Sequence, residues 1–574
     1  MSQTETAIPE TRRADRRYFL FVAATVVPAL VLRAWSLRVR GALDYDETYY
    51  YLLGKSLFAG KGYMLNGLPH TAFPPLYPIF TGLTGLFSDN VLFCTAFISA
   101  IAGALLPIPV YFLGRDMYNR RVGAMAAALT AVWPTLWFFA VRNIPYSMRM
   151  YCGSEPLFIT LFIMGLLYLW LAARRDTLLH GAIAGALIGL SVLDRNEATV
   201  MFAFLLMWFV VDRFFFSALP RRRQALQVGT VAVAFVIAVS PWVIYVHSVS
   251  GKWNMGSKLS NLTRTRPGLY NWIVKGQSVN YVKRHYQLSA DATQLEDDYW
   301  GVTEWHKHHR STAGGIKAAI GLVIHPDGRW LPVLWHIFTD DIPPLVPRYI
   351  WPVLLLGAVL PPSGFRWRRG ALLYGTLIFV LVLQAVTIYA IARFQLPILP
   401  LLAILAARGL DAVARGAAFV TGILTKRLSL EPIGYAVPAA AMALMIWGGV
   451  WFNTNLPKMI HKHTSICSTK YDKELSSVLK AELPPGSSVM CNKPWVPLYA
   501  GMEWRSSPFG ASELLAKYSI SRKIDFAVLG PWQLPKVQPG MGLYPYLVRK
   551  ITLSDGEEQY LFDFRNAWKN PTGS

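Results

Sequence analysis

The sequence predicts a polytopic α-helical membrane protein of about eleven spans, ending in a small extracytoplasmic α/β domain. Three observations predict it. The chain is 53% hydrophobic and only 16% charged, with a mean hydropathy of +0.33. A soluble chain of 574 residues would divide into several cores, each needing more charged surface. Apolar runs of membrane length recur along it, and basic residues fall in short clusters at alternate turns between them, as the positive-inside bias requires. The net charge of +23 therefore reflects topology. With no basic stripe, nucleic acid is not an expected partner.

The first span is 18–37, preceded by Arg12, Arg13, Arg16 and Arg17. Its basic start resembles a signal peptide, but no small-residue cleavage site follows, so it reads as a retained anchor with a cytoplasmic N-terminus. A first outer loop, 41–90, carries Leu43-Asp44-Tyr45-Asp46-Glu47-Thr48-Tyr49-Tyr50-Tyr51, then Gly60-Lys61-Gly62-Tyr63, then His70-Thr71-Ala72-Phe73-Pro74-Pro75-Leu76-Tyr77-Pro78. A proline pair cannot sit inside a regular helix, so Leu76 is expected to start a new short one along the membrane interface.

Spans follow at 91–113, 123–141, 156–173, 178–193, 198–216 and 228–246. The clusters Arg115/Arg120/Arg121, Arg174/Arg175 and Arg221/Arg222/Arg223 then all share the side of the N-terminus, which supports the topology. Residues 248–347 are too polar to span and form a large outer loop, a length that usually carries function. Four more spans are expected at 349–360, 371–391, 396–407 and 435–452.

Beyond the transmembrane domain, 1–454, charged and turn residues return over 455–574. Short β-like runs (488–490, 525–529) alternate there with helix-like ones (473–483), giving the α/β domain. Cys467 and Cys491 both lie in it and are either a disulfide or two buried thiols. No Cys/His spacing matches a structural zinc site.

Carboxylates at a membrane face are costly unless they meet water or a partner, which makes them functional candidates. Glycosyl transfer needs a base for the acceptor's proton and positive charge for the departing phosphate. Asp44, Asp46 and Glu47 offer the base, although a solvated helix start at Thr48 explains the same cluster structurally. The topology brings Lys61, His70, Arg142, Arg149 and Arg393 to the same outer face. Glu155, in Ser154-Glu155-Pro156, opens an inward span at that level; an ordinary helix start is the structural alternative. Arg393 precedes Phe394-Gln395-Leu396-Pro397, where interfacial anchoring is the alternative.

The order of these features resembles the GT-C superfamily of integral-membrane glycosyltransferases: a first span, Asp46-Glu47 followed by aromatics, Pro74-Pro75-Leu76-Tyr77, then Gly114-Arg115-Asp116 at an inner turn. The nearest branch contains the protein O-mannosyltransferases and the lipid A aminoarabinose transferase. The likeness covers most of 18–200 and the Arg393 region. It implies an inverting transfer of a sugar from a polyprenyl-phosphate donor to a protein, lipid or polysaccharide acceptor at the outer face of a plasma or inner membrane. Asp46 would be the catalytic base, Glu155 a catalytic support, and Arg393 a contact for the donor phosphate.

The expected substrate-binding set is Asp44, Glu47, Tyr49, Lys61, His70, Arg142, Arg149, Arg195 and Arg393. Arg195 belongs to Asp194-Arg195-Asn196-Glu197, which resembles a polar turn lining the same cavity. The sequence departs from the aminoarabinose transferases at Phe73, where they carry a lysine before Pro-Pro-Leu, so phosphate binding falls to the other basic groups. That branch implies no metal cofactor. Asp44-Tyr45-Asp46 nevertheless spells Asp-x-Asp, which suits a divalent cation as in oligosaccharyltransferases of the wider superfamily. A transporter or flippase of lipid-linked glycans is the alternative from another class. It would show repeated halves and charges near mid-bilayer, whereas here the charges gather at one face.

Overall fold

The computed structural model describes residues 7–39, 43, 45–137, 153–255, 288, 291–293, 330–360, 367–387, 392–424, 439–448, 450, 470–508, 511–530, 533–534 and 538–569. Five helices among them are long and apolar enough to cross a membrane: Val91–Met117, Glu155–Arg175, Ala198–Phe216, Arg221–Ser250 and Phe394–Ala417. Shorter apolar helices lie at Leu20–Ser36, Leu178–Asp194, Arg348–Val359, Gly370–Ala385 and Ala439–Gly448. The expected span 123–141 takes a different form. Helix Arg120–Val132 stops at Trp133, Pro134–Trp137 adds one turn, and the remainder lies outside the described residues.

The long first helix, α1 (Ala7–Val39), carries a buried arginine. Arg33 donates to Ala29 O and to Leu136 O, each at 3.0 Å, so carbonyls satisfy its guanidinium inside an apolar setting. It also covers Gly103, where a Cβ would lie 2.5 Å from its Nε.

The first outer loop folds as α2 (Tyr45–Phe58), a two-stranded hairpin of β1 (Met64–Leu65) and β2 (Leu68–Pro69), and α3 (Leu76–Gly85). The helix expected from Leu76 is α3, begun behind the proline pair. Helices α2 and α3 touch through glycines: a Cβ on Gly82 would stand 2.6 Å from the Gly54 carbonyl carbon. Only hydrogen fits there, and the backbones close on each other as small residues permit. Next come α4 (Val91–Leu105), which continues through Leu106 into α5 (Pro107–Met117), then α6 (Arg120–Val132) and α7 (Pro134–Trp137). They are followed by α8 (Glu155–Arg175), α9 (Leu178–Asp194), α10 (Ala198–Phe216) and α11 (Arg221–Ser250).

At the end of this bundle away from α2, the basic clusters are tied into ion pairs. Asp212 of α10 receives Arg213 Nη2 at 2.6 Å and Arg368 Nη2 at 2.7 Å, while Arg174 meets Asp116 at 3.0 Å. The Arg368 and Arg174 pairs join the ends of separate helices.

Of the large outer loop, most residues lie outside the described ones. Its far end is helical: Trp330–His336 runs into one π-helical turn, Ile337–Asp341. A 3-10 helix, Ala392–Ile398, then leads into Leu399–Leu424.

The C-terminal region forms a five-stranded mixed sheet in the order β4 (Glu503–Ser506), β3 (Ser488–Cys491), β5 (Phe526–Leu529), β7 (Glu558–Asp563), β6 (Leu547–Thr552). Strand β3 runs parallel to both its neighbours, with Val489 opposite Trp504 and Phe526. Both β3 and β5 are buried along their length, as continuous apolar runs in central strands are. They cover the two expected β runs, and the helix expected over 473–483 is Lys470–Glu482. Cys491 is a buried free thiol pushed up to about 12 by desolvation, and Cys467 lies outside the described residues. So does the expected domain boundary at 454/455.

One buried apolar cluster unites the two regions. It contains Tyr49, Tyr50, Phe73 and Tyr77 of the first loop, Trp242 and Val246 of α11, and Leu479, Val489, Trp495, Trp504 and Phe526 of the C-terminal domain. The first loop is thus held between the bundle and the sheet domain.

Candidate active site

Helix α2 puts Asp46 and Glu47 in its first turn, where free backbone N–H groups and the helix dipole favour negative charge. Asp46 stays half-exposed and Glu47 is fully buried. The tyrosines fan out around them. Tyr45 meets the edge of Trp495 at 4.8 Å, and its hydroxyl lies 3.4 Å from Asn492 Nδ2. Tyr49 packs on Trp504 at 5.5 Å and on Phe73 at 6.3 Å. Tyr50, one turn after Asp46, packs edge-on against Phe73 at 4.9 Å and Tyr77 at 5.1 Å.

The Tyr50 hydroxyl reaches Ser154 Oγ at 3.5 Å. Burial holds this phenol protonated, well above its ordinary range. The Asp46 and Glu155 carboxylates push the same way, and Arg195 and the Ser154 contact oppose them. The charges of Asp46, Glu155 and Arg195 therefore all act on one buried hydroxyl. A separate chain fixes the start of α8 next to it: Tyr77 OH lies 2.6 Å from Ser99 Oγ, which donates to Gly153 O at 2.7 Å.

Glu155 opens α8 just before Pro156, and Arg195 follows the last residue of α9. They form a buried ion pair, Arg195 Nη1 to Glu155 Oε1 at 2.7 Å, while Arg195 Nη2 donates to Glu197 Oε1 at 3.2 Å. The guanidinium also covers the Phe394 ring at 5.0 Å, on the 3-10 helix that contains Arg393. Tyr50, Glu155, Arg195 and this 3-10 helix thus gather around one point from four distant parts of the chain.

Other expected site residues fall differently. Lys61 is exposed on the turn after α2. His70 departs from its expected role as a cationic phosphate ligand. It is completely buried, desolvation lowers its pKa to about 3, and its Nε2 accepts from Phe73 N–H at 3.0 Å. At neutral pH it is an uncharged brace of the loop. Phe73 stacks on His70 at 5.3 Å and fills the space beside Tyr49 and Tyr50. Asp44, Arg142 and Arg149 lie outside the described residues, and for Arg393 only the backbone is described. Among the described residues no three His, Cys, Asp or Glu side chains converge as metal ligands.

Three contributors escaped the sequence. Tyr50 stands four residues after Asp46, a spacing that places both on one helix face and that the tyrosine run conceals. Trp495 and Trp504 carry no sequence signal at all, because nothing local announces a contact with a helix more than 400 residues away.

No family model matches the sequence, and no curated protein matches it. Solved structures do. ArnT from Cupriavidus metallidurans bound to undecaprenyl phosphate superposes with a TM-score of 0.55 at 13% identity, over 95% of this chain and 97% of its own. The apo state of the same protein gives 0.52 at 14% identity over 96% and 98%. The Archaeoglobus fulgidus oligosaccharyltransferase in complex with Zn and sulfate gives 0.51 at 14% identity, over 96% of this chain and 74% of its own. Both are GT-C superfamily proteins, and the likeness at these identities is one of fold.

Proposed function

We propose that this GT-C-fold chain is an integral-membrane glycosyltransferase that moves a sugar from a polyprenyl-phosphate donor to an acceptor at the outer membrane face. The observation that supports this most directly is the clustering of Asp46, Tyr50, Glu155 and Arg195, in a fold shared with a protein solved with undecaprenyl phosphate.

In the proposed step, Asp46 takes the proton of the acceptor's hydroxyl or amine. The acceptor's oxygen or nitrogen bonds to the anomeric carbon from the face opposite the leaving group. The bond from that carbon to the phosphate oxygen breaks, its electron pair leaves with polyprenyl phosphate, and the configuration inverts. Tyr50 stays protonated and can donate a hydrogen bond while Asp46 accepts one. Glu155 orients Arg195 through their ion pair. The phosphate charge falls to Arg393, with Arg142, Arg149 and Lys61 as the other cations of that face. His70, being neutral, is left out of that set.

Purified protein incubated with radiolabelled polyprenyl-phosphate sugars tests this reading. Transfer or release of sugar is expected, and Asp46→Asn should abolish it while leaving expression and thermal unfolding unchanged. Near-normal activity in that variant rules out Asp46 as the base. Passage of intact donor across vesicles, without any sugar release, would establish a transporter instead.

A further inference from the structure

Next to the Glu155–Arg195–Phe394 contact, three buried side chains hold polar atoms without a hydrogen-bond partner of regular geometry among the described residues. Asp194, on one side of Arg195 in sequence, is buried with no side-chain hydrogen-bond partner among the described residues, its carboxyl lying by the Phe158 backbone N–H and the Arg195 charge. Asn196, on the other side, uses its Nδ2 towards Ala72 O at 3.5 Å and leaves Oδ1 unmet. Gln395, following Phe394, is 0% exposed with both Nε2 and Oε1 unmet.

Such an arrangement is costly. A buried acceptor without a donor forfeits its hydration. Asp194 is in addition the last residue of α9, at the negative end of that helix dipole. Buried polar groups left open in this way mark a place that something else completes.

The chemistry of the missing partner follows from the unmet atoms. Acceptors outnumber donors among them: Asn196 Oδ1, Gln395 Oε1 and the Asp194 carboxyl stand against one donor, Gln395 Nε2. A phosphate offers acceptors only and cannot satisfy them. A sugar ring offers several O–H donors that also accept. We propose that Asp194, Asn196 and Gln395 form the sugar-hydroxyl subsite of the donor, separate from the groups that hold its phosphate. The subsite rests on the glycosyl-transfer reading and assigns the sugar ring to the turn around Arg195.

Binding of two kinds of probe by the full-length protein in detergent tests it: undecaprenyl phosphate alone, and a panel of undecaprenyl-phosphate hexoses and pentoses. Wild type should bind at least one sugar-bearing lipid more tightly than the sugar-free one. Asp194→Asn and Gln395→Leu should each weaken that sugar-bearing lipid about tenfold or more, the loss of a hydrogen bond to a buried group. The sugar-free lipid should change by less than about twofold. Equal loss for both lipids, no loss for either, or no wild-type preference for any sugar-bearing lipid overturns the subsite. Should Asp194→Asn fail to fold, Gln395→Leu decides by the same comparison. Failure of wild type to bind undecaprenyl phosphate at all would instead refute the donor class, and the subsite with it.

Discussion

Glu155 and Arg195 face each other at 2.7 Å with both side chains buried, joining the first turn of α8 to the turn after α9. Removing one partner strands the other charge in a place that water does not reach. Arg195→Gln should therefore cost about 3–5 kcal/mol of stability. Adding Glu155→Gln should restore part of it, since the two changes are coupled. Thermal unfolding of both variants in detergent measures this, and simple additivity of the two losses would contradict it.

His70 links loop stability to pH. Its native pKa is lowered to about 3 from an ordinary 6.5, because burial disfavours the imidazolium. The unfolded chain therefore binds the proton first, and stability falls as pH drops below about 6.5, by about 1.4 kcal/mol per pH unit at most, until the native pKa is reached. Above pH 7 the effect is absent. Unfolding midpoints between pH 5 and pH 8 should slope this way in wild type, with a shallower slope in His70→Asn.

Tyr45 and Trp495 meet edge to face at 4.8 Å, and the Trp495 indole N–H is held by Asp472 Oδ2 at 3.0 Å. A double-mutant cycle of Tyr45→Ala and Trp495→Ala should return a coupling of about 0.5–1.5 kcal/mol. Because Asp46 adjoins Tyr45, Trp495→Ala should also slow transfer more than it weakens undecaprenyl phosphate binding. Equal loss of both would mean that the domain only stabilises the fold.

Gly82→Ala tests the closeness of α2 and α3. Its new methyl would stand 2.6 Å from both the Gly54 backbone and the Phe58 ring, and the backbone cannot swing aside as a side chain can. A loss of about 1–3 kcal/mol is expected. Transfer activity should fall with it, since α2 must then shift away from α3. Unchanged unfolding temperature and activity would show that the two helices are less closely joined.

Much of this fold was legible because its signals are local. Membrane-length runs, the proline pair before Leu76, and the apolar strands around Val489 and Val528 each obey a rule that operates over a few residues. Asp46 and Glu155 stood out as acids at span ends for the same reason. What escaped was pairing. Arg195 is one interfacial arginine among many until the fold places Glu155 against it. His70 read as a cation, and only its burial makes it neutral. Asp194 is an ordinary helix end in the sequence, and its burial becomes visible only when the surrounding packing is known.

The clamp on α2 has a consequence for biosynthesis. Asn492, which touches Tyr45, lies 447 residues further along the chain. At ~5–20 residues per second, synthesis of that interval takes about 20–90 s. The acidic turn of α2 is thus made well before the neighbours that cover it. Through that interval Tyr45 lacks Trp495 and Tyr49 lacks Trp504 as ring partners. A ribosome stalled before the sheet domain emerges would leave α2 packed against the bundle alone, without the Trp495 and Trp504 rings.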